Sequence, residues 1–198
     1  MKIKISILFL IVISVFVSCK KDNQTLQNSS NNNTNNTTYT DPCNSNIPTQ
    51  FWYPLKLGNQ WTYITVLGII ISEITSDTII NGQIFFKFTS ITSLPSSPEY
   101  YRIDTMNNFI QLNLSLNAEE MCLPANPFIG QTWLRKGKTF LVISLNSDVS
   151  TSVCSYTNTL QLEVFGSNGT SQGYFYYKKG LGSVYSPVSY LSGIHISL

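Results

Sequence analysis

The chain has 198 residues, 42 % of them hydrophobic and 13 % aromatic, with twelve Lys and Arg against ten Asp and Glu. With 11 % charged residues and a formal charge of +2, it carries no basic stripe to neutralise a phosphate backbone, so no nucleic acid is expected as a partner. One histidine and four cysteines give no metal-finger spacing, and neither a metal nor a cofactor is expected.

Residues 1–18 read as a signal peptide. Lys2 and Lys4 form a short positive start, and Ile5 to Val17 is an apolar run broken only by Ser6 and Ser14. That run is too short to span about 30 Å of hydrocarbon as a helix and has the length of a secretory h-region. It ends Val15-Phe16-Val17-Ser18-Cys19, followed by Lys20-Lys21-Asp22. A small residue followed by Cys at this point resembles the bacterial lipoprotein processing signal, and the Lys-Lys-Asp after it looks most like lipoproteins of the Bacteroidota. The resemblance implies cleavage before Cys19, acylation of Cys19, and a chain held to the cell envelope at the outer membrane. Two or three acyl chains anchor stably at about 0.8 kcal/mol per buried CH₂. Loss of Lys2 and Lys4 takes the formal charge from +2 to 0.

Residues 19–50 read as the lipidated Cys followed by a disordered tether. The stretch is mostly Asn, Thr, Ser and Gln, too polar to bury enough apolar area to offset its ordering entropy. As a flexible coil it would span roughly 30 Å. Residues 51–198 then form one domain, long enough for a core of its own.

That domain reads as β throughout, with aromatic and β-branched runs bounded by Gly, Asn, Asp, Pro and Ser. Strands are expected at 60–67, 69–76, 78–80, 83–91, 100–104, 109–113, 131–136, 139–147, 149–157, 160–166, 173–178, 182–186 and 190–197. Alternation puts Leu160, Leu162 and Val164 on one face, and Ile110, Leu112, Leu114 and Leu116 on another. Asn81-Gly82, Lys136-Gly137-Lys138, Ser167-Asn168-Gly169 and Met106-Asn107-Asn108 read as hairpin turns. The best helical candidate is one turn at Ala118–Cys122, ended by Pro124 and Pro127. The expected fold is all-β, an antiparallel meander forming a barrel, half-barrel or sandwich. Gly58-Asn-Gln-Trp61 and Gly130-Gln-Thr-Trp133 echo each other, each placing Gly three residues before Trp at the mouth of a strand.

"YPLKLGNQWTY", "NGQIFFKF", "NPFIGQTW" and "YFYYKKGLGSVYS" occur in that order. They resemble small Bacteroidota lipoproteins of unassigned function, with a Tyr-x-Pro-Leu-x-x-Gly-x-x-Trp-x-Tyr opening, from which this chain departs by having Tyr and Pro adjacent, and a Tyr-Tyr-x-x-Gly-x-Gly close. The first falls on Tyr53, Pro54, Leu55, Gly58, Trp61 and Tyr63; the second on Tyr176, Tyr177, Gly180 and Gly182. The resemblance implies a secreted β domain on a lipid anchor and implies no activity.

Catalytic constellations are weak. Gly137-Lys138-Thr139 lacks the first Gly of a nucleotide loop, with Thr132 in its place. His195, the lone histidine, lies in an alternating strand. Glu119-Glu120 is the one carboxylate cluster and reads as a solvated loop. No enzymatic activity is expected. Cys122–Cys154 is the favoured disulfide, because Cys43 sits in the tether region, and a bridge from Cys43 onto the domain is the alternative. The aromatics remain. Trp61 and Tyr63 share a face and belong in the core, while Trp52 and Tyr53 precede the strand and cap one end. Trp52, Tyr53, Tyr174 and Tyr176 are the candidate ligand contacts. The expected function is a lipid-anchored, non-enzymatic envelope protein binding a hydrophobic ligand or an envelope partner. A structural component of an envelope complex is the alternative, and an envelope hydrolase the third.

Overall fold

A computed structural model describes residues 38–44, 46–92 and 96–198. The signal sequence, Cys19 and the tether up to residue 37 lie outside the described residues. The described chain has thirteen strands and no helix. They are β1 (Thr38–Tyr39), β2 (Gln60–Thr65), β3 (Gly68–Ile80), β4 (Gln83–Ile91), β5 (Glu99–Ile103), β6 (Phe109–Asn113), β7 (Ala118–Leu123), β8 (Thr132–Arg135), β9 (Lys138–Ser150), β10 (Ser155–Phe165), β11 (Ser171–Lys178), β12 (Gly182–Ser186) and β13 (Ser189–Ser197).

Every pairing is antiparallel. The sheet order runs β7-β6-β5-β4-β3-β2-β13-β12-β11-β10-β9-β8, so from β2 onward every strand pairs with its neighbours in sequence except β7 with β8. β13 pairs with β2, Ile194 opposite Trp61, and joins the two ends of the meander. The ring is left open at one seam, between β7 and β8. The result is a nearly closed up-and-down barrel, an architecture that leaves few free edges. All four expected turns join consecutive strands. At Asn81-Gly82 and Lys136-Gly137 both residues take positive φ (51° and 75°, 49° and 71°), the geometry a two-residue hairpin needs.

The structure corrects several expectations. Ala118–Cys122 is not helical; it falls in β7, where Met121 and Glu119 pair across to Ile110 and Leu112. A five-residue helix gains too few hydrogen bonds to outweigh its nucleation cost, and a neighbouring strand supplies a full ladder. Glu119 therefore sits on a strand, accepting hydrogen bonds from Arg102. The 69–76 and 78–80 segments are one strand, β3, carried through an irregularity between Ile74 and Ser76. The 149–157 segment turns at 151–154, where Thr151 caps the backbone N–H of Cys154. Leu114 and Leu116 do not continue the buried face of Ile110 and Leu112; they lie in the β6–β7 turn, 56 % and 69 % exposed.

The folded region also starts earlier than residue 51. β1 pairs with the end of β13, and Ile47 is buried. The disulfide joins Cys43 to Cys154, with a Cα–Cα distance of 5.1 Å, rather than Cys122 to Cys154. Cys154 sits in the 151–154 turn, against which the segment carrying Cys43 is tied. Cys122 faces the barrel interior from β7 and is free and buried.

The echo between the halves is structural. Gly58 N–H donates to Ile74 O and Ile74 N–H to Asn59 O; Gly130 N–H donates to Val142 O and Val142 N–H to Gln131 O. Both Gly-x-x-Trp stretches thus start a strand by the same pair of bonds to a long partner strand. Trp61 and Trp133 then enter the interior as buried rings.

Candidate functional site

In an up-and-down barrel, alternate turns lie at alternate ends. The β2–β3, β4–β5, β6–β7, β8–β9, β10–β11 and β12–β13 connections therefore share one end. Residues 43–44 and 46–59 close the other. There Gly180 N–H donates to Phe51 O, and Trp52 Nε1 donates to Pro124 O at 2.8 Å. Ser183 N–H donates to the Tyr53 hydroxyl at 2.8 Å. A Cβ on Gly182 would lie 2.0 Å from the Tyr53 ring, and Gly182 has φ +73°. The opening and closing motifs of the domain are thus the two halves of one plug.

Above the plug lies a cavity of about 260 Å³, just under the ~300–1,000 Å³ common for small-molecule sites. Five rings line it in a closed cycle. Tyr53 meets Trp61 edge-on at 5.4 Å, Trp61 stacks on Phe88 at 5.6 Å, and Phe88 meets Tyr101 edge-on at 4.9 Å. Tyr101 stacks on Phe109 at 4.9 Å, and Phe109 on Tyr53 at 4.7 Å. Such pairs add about 0.5–1.5 kcal/mol each beyond area burial, so this wall is pre-formed.

Toward the other end the lining turns polar: Thr65, Ser90, Glu99, Arg135 and Ser189. Each stands at or beside a strand end of the unplugged side. Arg135 Nη2 donates to Gln111 Oε1 at 2.6 Å, and Gln111 Nε2 donates to Glu99 Oε1 at 2.7 Å. Glu99 also accepts from the Tyr101 hydroxyl at 2.7 Å and from Lys136 Nζ at 3.2 Å. Burial pushes the Glu99 carboxyl up, but Tyr101, Lys136 and Gln111 outweigh it and hold the group below its ordinary value. Glu99 is therefore an anion whose partners are Lys136 and neutral donors. Arg135 has no carboxylate within ion-pair distance among the described residues, and its Nε–H is buried without an acceptor. Burying a guanidinium without a counter-charge is costly.

The remaining groups facing the cavity are neutral. Burial raises the phenols of Tyr53, Tyr63, Tyr101 and Tyr177. Burial pushes the Cys122 thiol up to about 12, with Arg135 pulling the other way, so it holds its proton at physiological pH and has no thiolate character. A second cavity of about 200 Å³ lies behind the first, lined by Lys136, Lys138, Phe140, Val164 and Phe175. Arg135 and Tyr177 line both. Among the described residues no group of three or more His, Cys, Asp or Glu is arranged to hold a metal ion.

Of the four candidate ligand contacts, Tyr53 lines the main cavity. Trp52 is buried at the plugged end, under Lys179. Tyr174 is 44 % exposed and Tyr176 meets Tyr185 edge-on, neither of them lining a cavity. The inward residues of that strand are Phe175 and Tyr177. His195 is exposed on β13. Arg135, Gln111 and Lys136 were not singled out by sequence reasoning. The signal was available: Trp133 and Arg135 are two apart on one strand, so if Trp133 faces in, Arg135 does too.

No protein-family model and no curated protein sequence matches the chain. Among solved structures, the crystal structure of an exported protein with a YmcC-like fold from Bacteroides fragilis aligns with a TM-score of 0.40 and 14 % identity. The alignment covers 74 % of this chain and 97 % of that one. At that TM-score the likeness informs neither fold nor function.

Proposed function

We propose that the chain is an exported, non-enzymatic envelope protein, anchored to the outer membrane through an acylated Cys19, whose barrel holds a small ligand with an apolar body. The observation that carries this reading is the interior cavity, plugged at one end and walled by five locked rings. The polar lining at the other end supports an entry there. The turns at that end add exposed Val66, Leu67, Leu116 and Val188, apolar side chains suited to meeting an apolar ligand at its source. The lipid anchor rests on the Val-Ser-Cys19 junction alone.

The test is native mass spectrometry of the full chain purified without detergent exchange from its host. A co-purifying mass released on denaturation supports the reading and gives the ligand class. Preparations that carry no such mass, and take up none from a solvent extract of the envelope, would remove it.

A further inference from the structure

The two adjoining cavities together carry an excess of positive charge that an apolar ligand alone does not explain. Arg135, at the end of β8, lines the main cavity and the smaller one behind it. Lys136 and Lys138 line the smaller cavity beside it. Against these three cations stands one carboxylate in the lining, Glu99, already engaged by Lys136, Tyr101 and Gln111. Arg135 keeps one bond, to the neutral Gln111 oxygen, and its Nε–H has no protein acceptor. A guanidinium is always charged and presents its donors as a planar fork matched to carboxylate or phosphate oxygens. The same residue lies at the edge of the aromatic wall, so one ligand can reach both.

We infer that the barrel selects an amphiphilic anion, its apolar chain against the ring wall and a carboxylate or phosphate head on Arg135. The inference rests on the proposed interior binding and names the ligand class for that site. Gln111 and Glu99 act as positioning residues, fixing the guanidinium toward the cavity.

The experiment is a titration of the full chain with decanoate, decyl phosphate and decanol, read by intrinsic tryptophan fluorescence, since Trp61 lines the cavity. At least one anion should bind about 10- to 100-fold more tightly than decanol, the range for one charge-assisted hydrogen-bonded contact. Which anion does so tells the carboxylate source from the phosphate source. Arg135→Gln should erase that preference, bringing both anions to within a few-fold of decanol, with an unchanged far-UV circular dichroism spectrum showing that the variant is folded. Arg135→Lys should restore part of it. Equal binding of all three compounds to the wild type would overturn the anion inference and leave interior binding standing. An anion preference that survives in Arg135→Gln would overturn the role of Arg135. Binding of none of the three would overturn interior binding itself, and this inference with it.

Discussion

Substitution of Gly182 by Ala should be among the most damaging single-atom changes in the chain. The residue has φ +73°, and the added Cβ would lie 2.0 and 2.1 Å from two carbons of the Tyr53 ring. The conformational part alone costs about 1–2 kcal/mol for a residue with a Cβ. The steric part cannot be relieved by a rotamer change, because Tyr53 packs against Trp61, Phe88 and Phe109 and accepts a bond from Ser183. Shifting that ring forfeits about 1 kcal/mol for the hydrogen bond and a similar amount per ring pair lost. A total of roughly 3–5 kcal/mol follows, at the upper end for point changes. Urea unfolding of wild type and variant would measure it. The decisive comparison is a Tyr53→Ala background, where only the conformational part should survive and the cost should fall to about 1–2 kcal/mol. A loss below 1 kcal/mol in the wild-type background, or the same loss in both, would refute the reading of Gly182 as the socket for Tyr53.

Replacing Cys43 by Ser should lower stability by about 2–5 kcal/mol, since the bridge to Cys154 closes a 111-residue separation; urea midpoints with and without reductant would show it. Cys122 should stay silent to an aromatic disulfide reagent at pH 8 in the native state and become reactive in urea, because its thiol is pushed up to about 12 by burial. Trp52, Trp61 and Trp133 are all under 10 % exposed, so acrylamide quenching of the native protein should fall far below that of free indole; a slope near the free value would sink the plug. The Glu99 carboxyl sits below its ordinary 4.5. Its contribution to stability is therefore present above that value and lost as pH falls beneath it. With the Glu99 side chain 46 % exposed, the effect is at most about 1 kcal/mol. A Glu99→Gln variant should accordingly lose part of the wild type's pH dependence between 5 and 3.

Local chemistry made the strands and turns legible. Asn81-Gly82 and Lys136-Gly137 demand positive φ at two successive residues, and few sequences tolerate that outside hairpins. Leu160, Leu162 and Val164 announced a buried face and are 2 %, 0 % and 1 % exposed. What stayed hidden depends on distant partners. β7 carries "AEEMCL", which has helix propensity, and becomes a strand because β6 offers a ladder. Residues 38–50 look like more of the polar tether until β1 meets β13 and Cys43 meets Cys154. In the run Tyr174–Tyr177 the rings are equivalent by type. Register against β10 and β12 decides that Phe175 and Tyr177 face in and Tyr174 and Tyr176 face out. The site was half visible for the same reason. Aromatic density pointed to Tyr53, but Arg135 gains meaning only when β8, β5 and β6 bring it to Gln111 and Glu99.

A ligand that enters the barrel meets the ring wall. The most direct measurement uses a Trp52→Phe/Trp133→Phe form of the full chain, in which Trp61, fully buried and in the cavity wall, is the sole tryptophan. Titration with an alkanoate bearing bromine at its far end should quench Trp61 saturably at low concentration, and unbrominated alkanoate should reverse the effect. Quenching that stays linear and weak, as for a shielded indole struck from outside, would contradict interior binding.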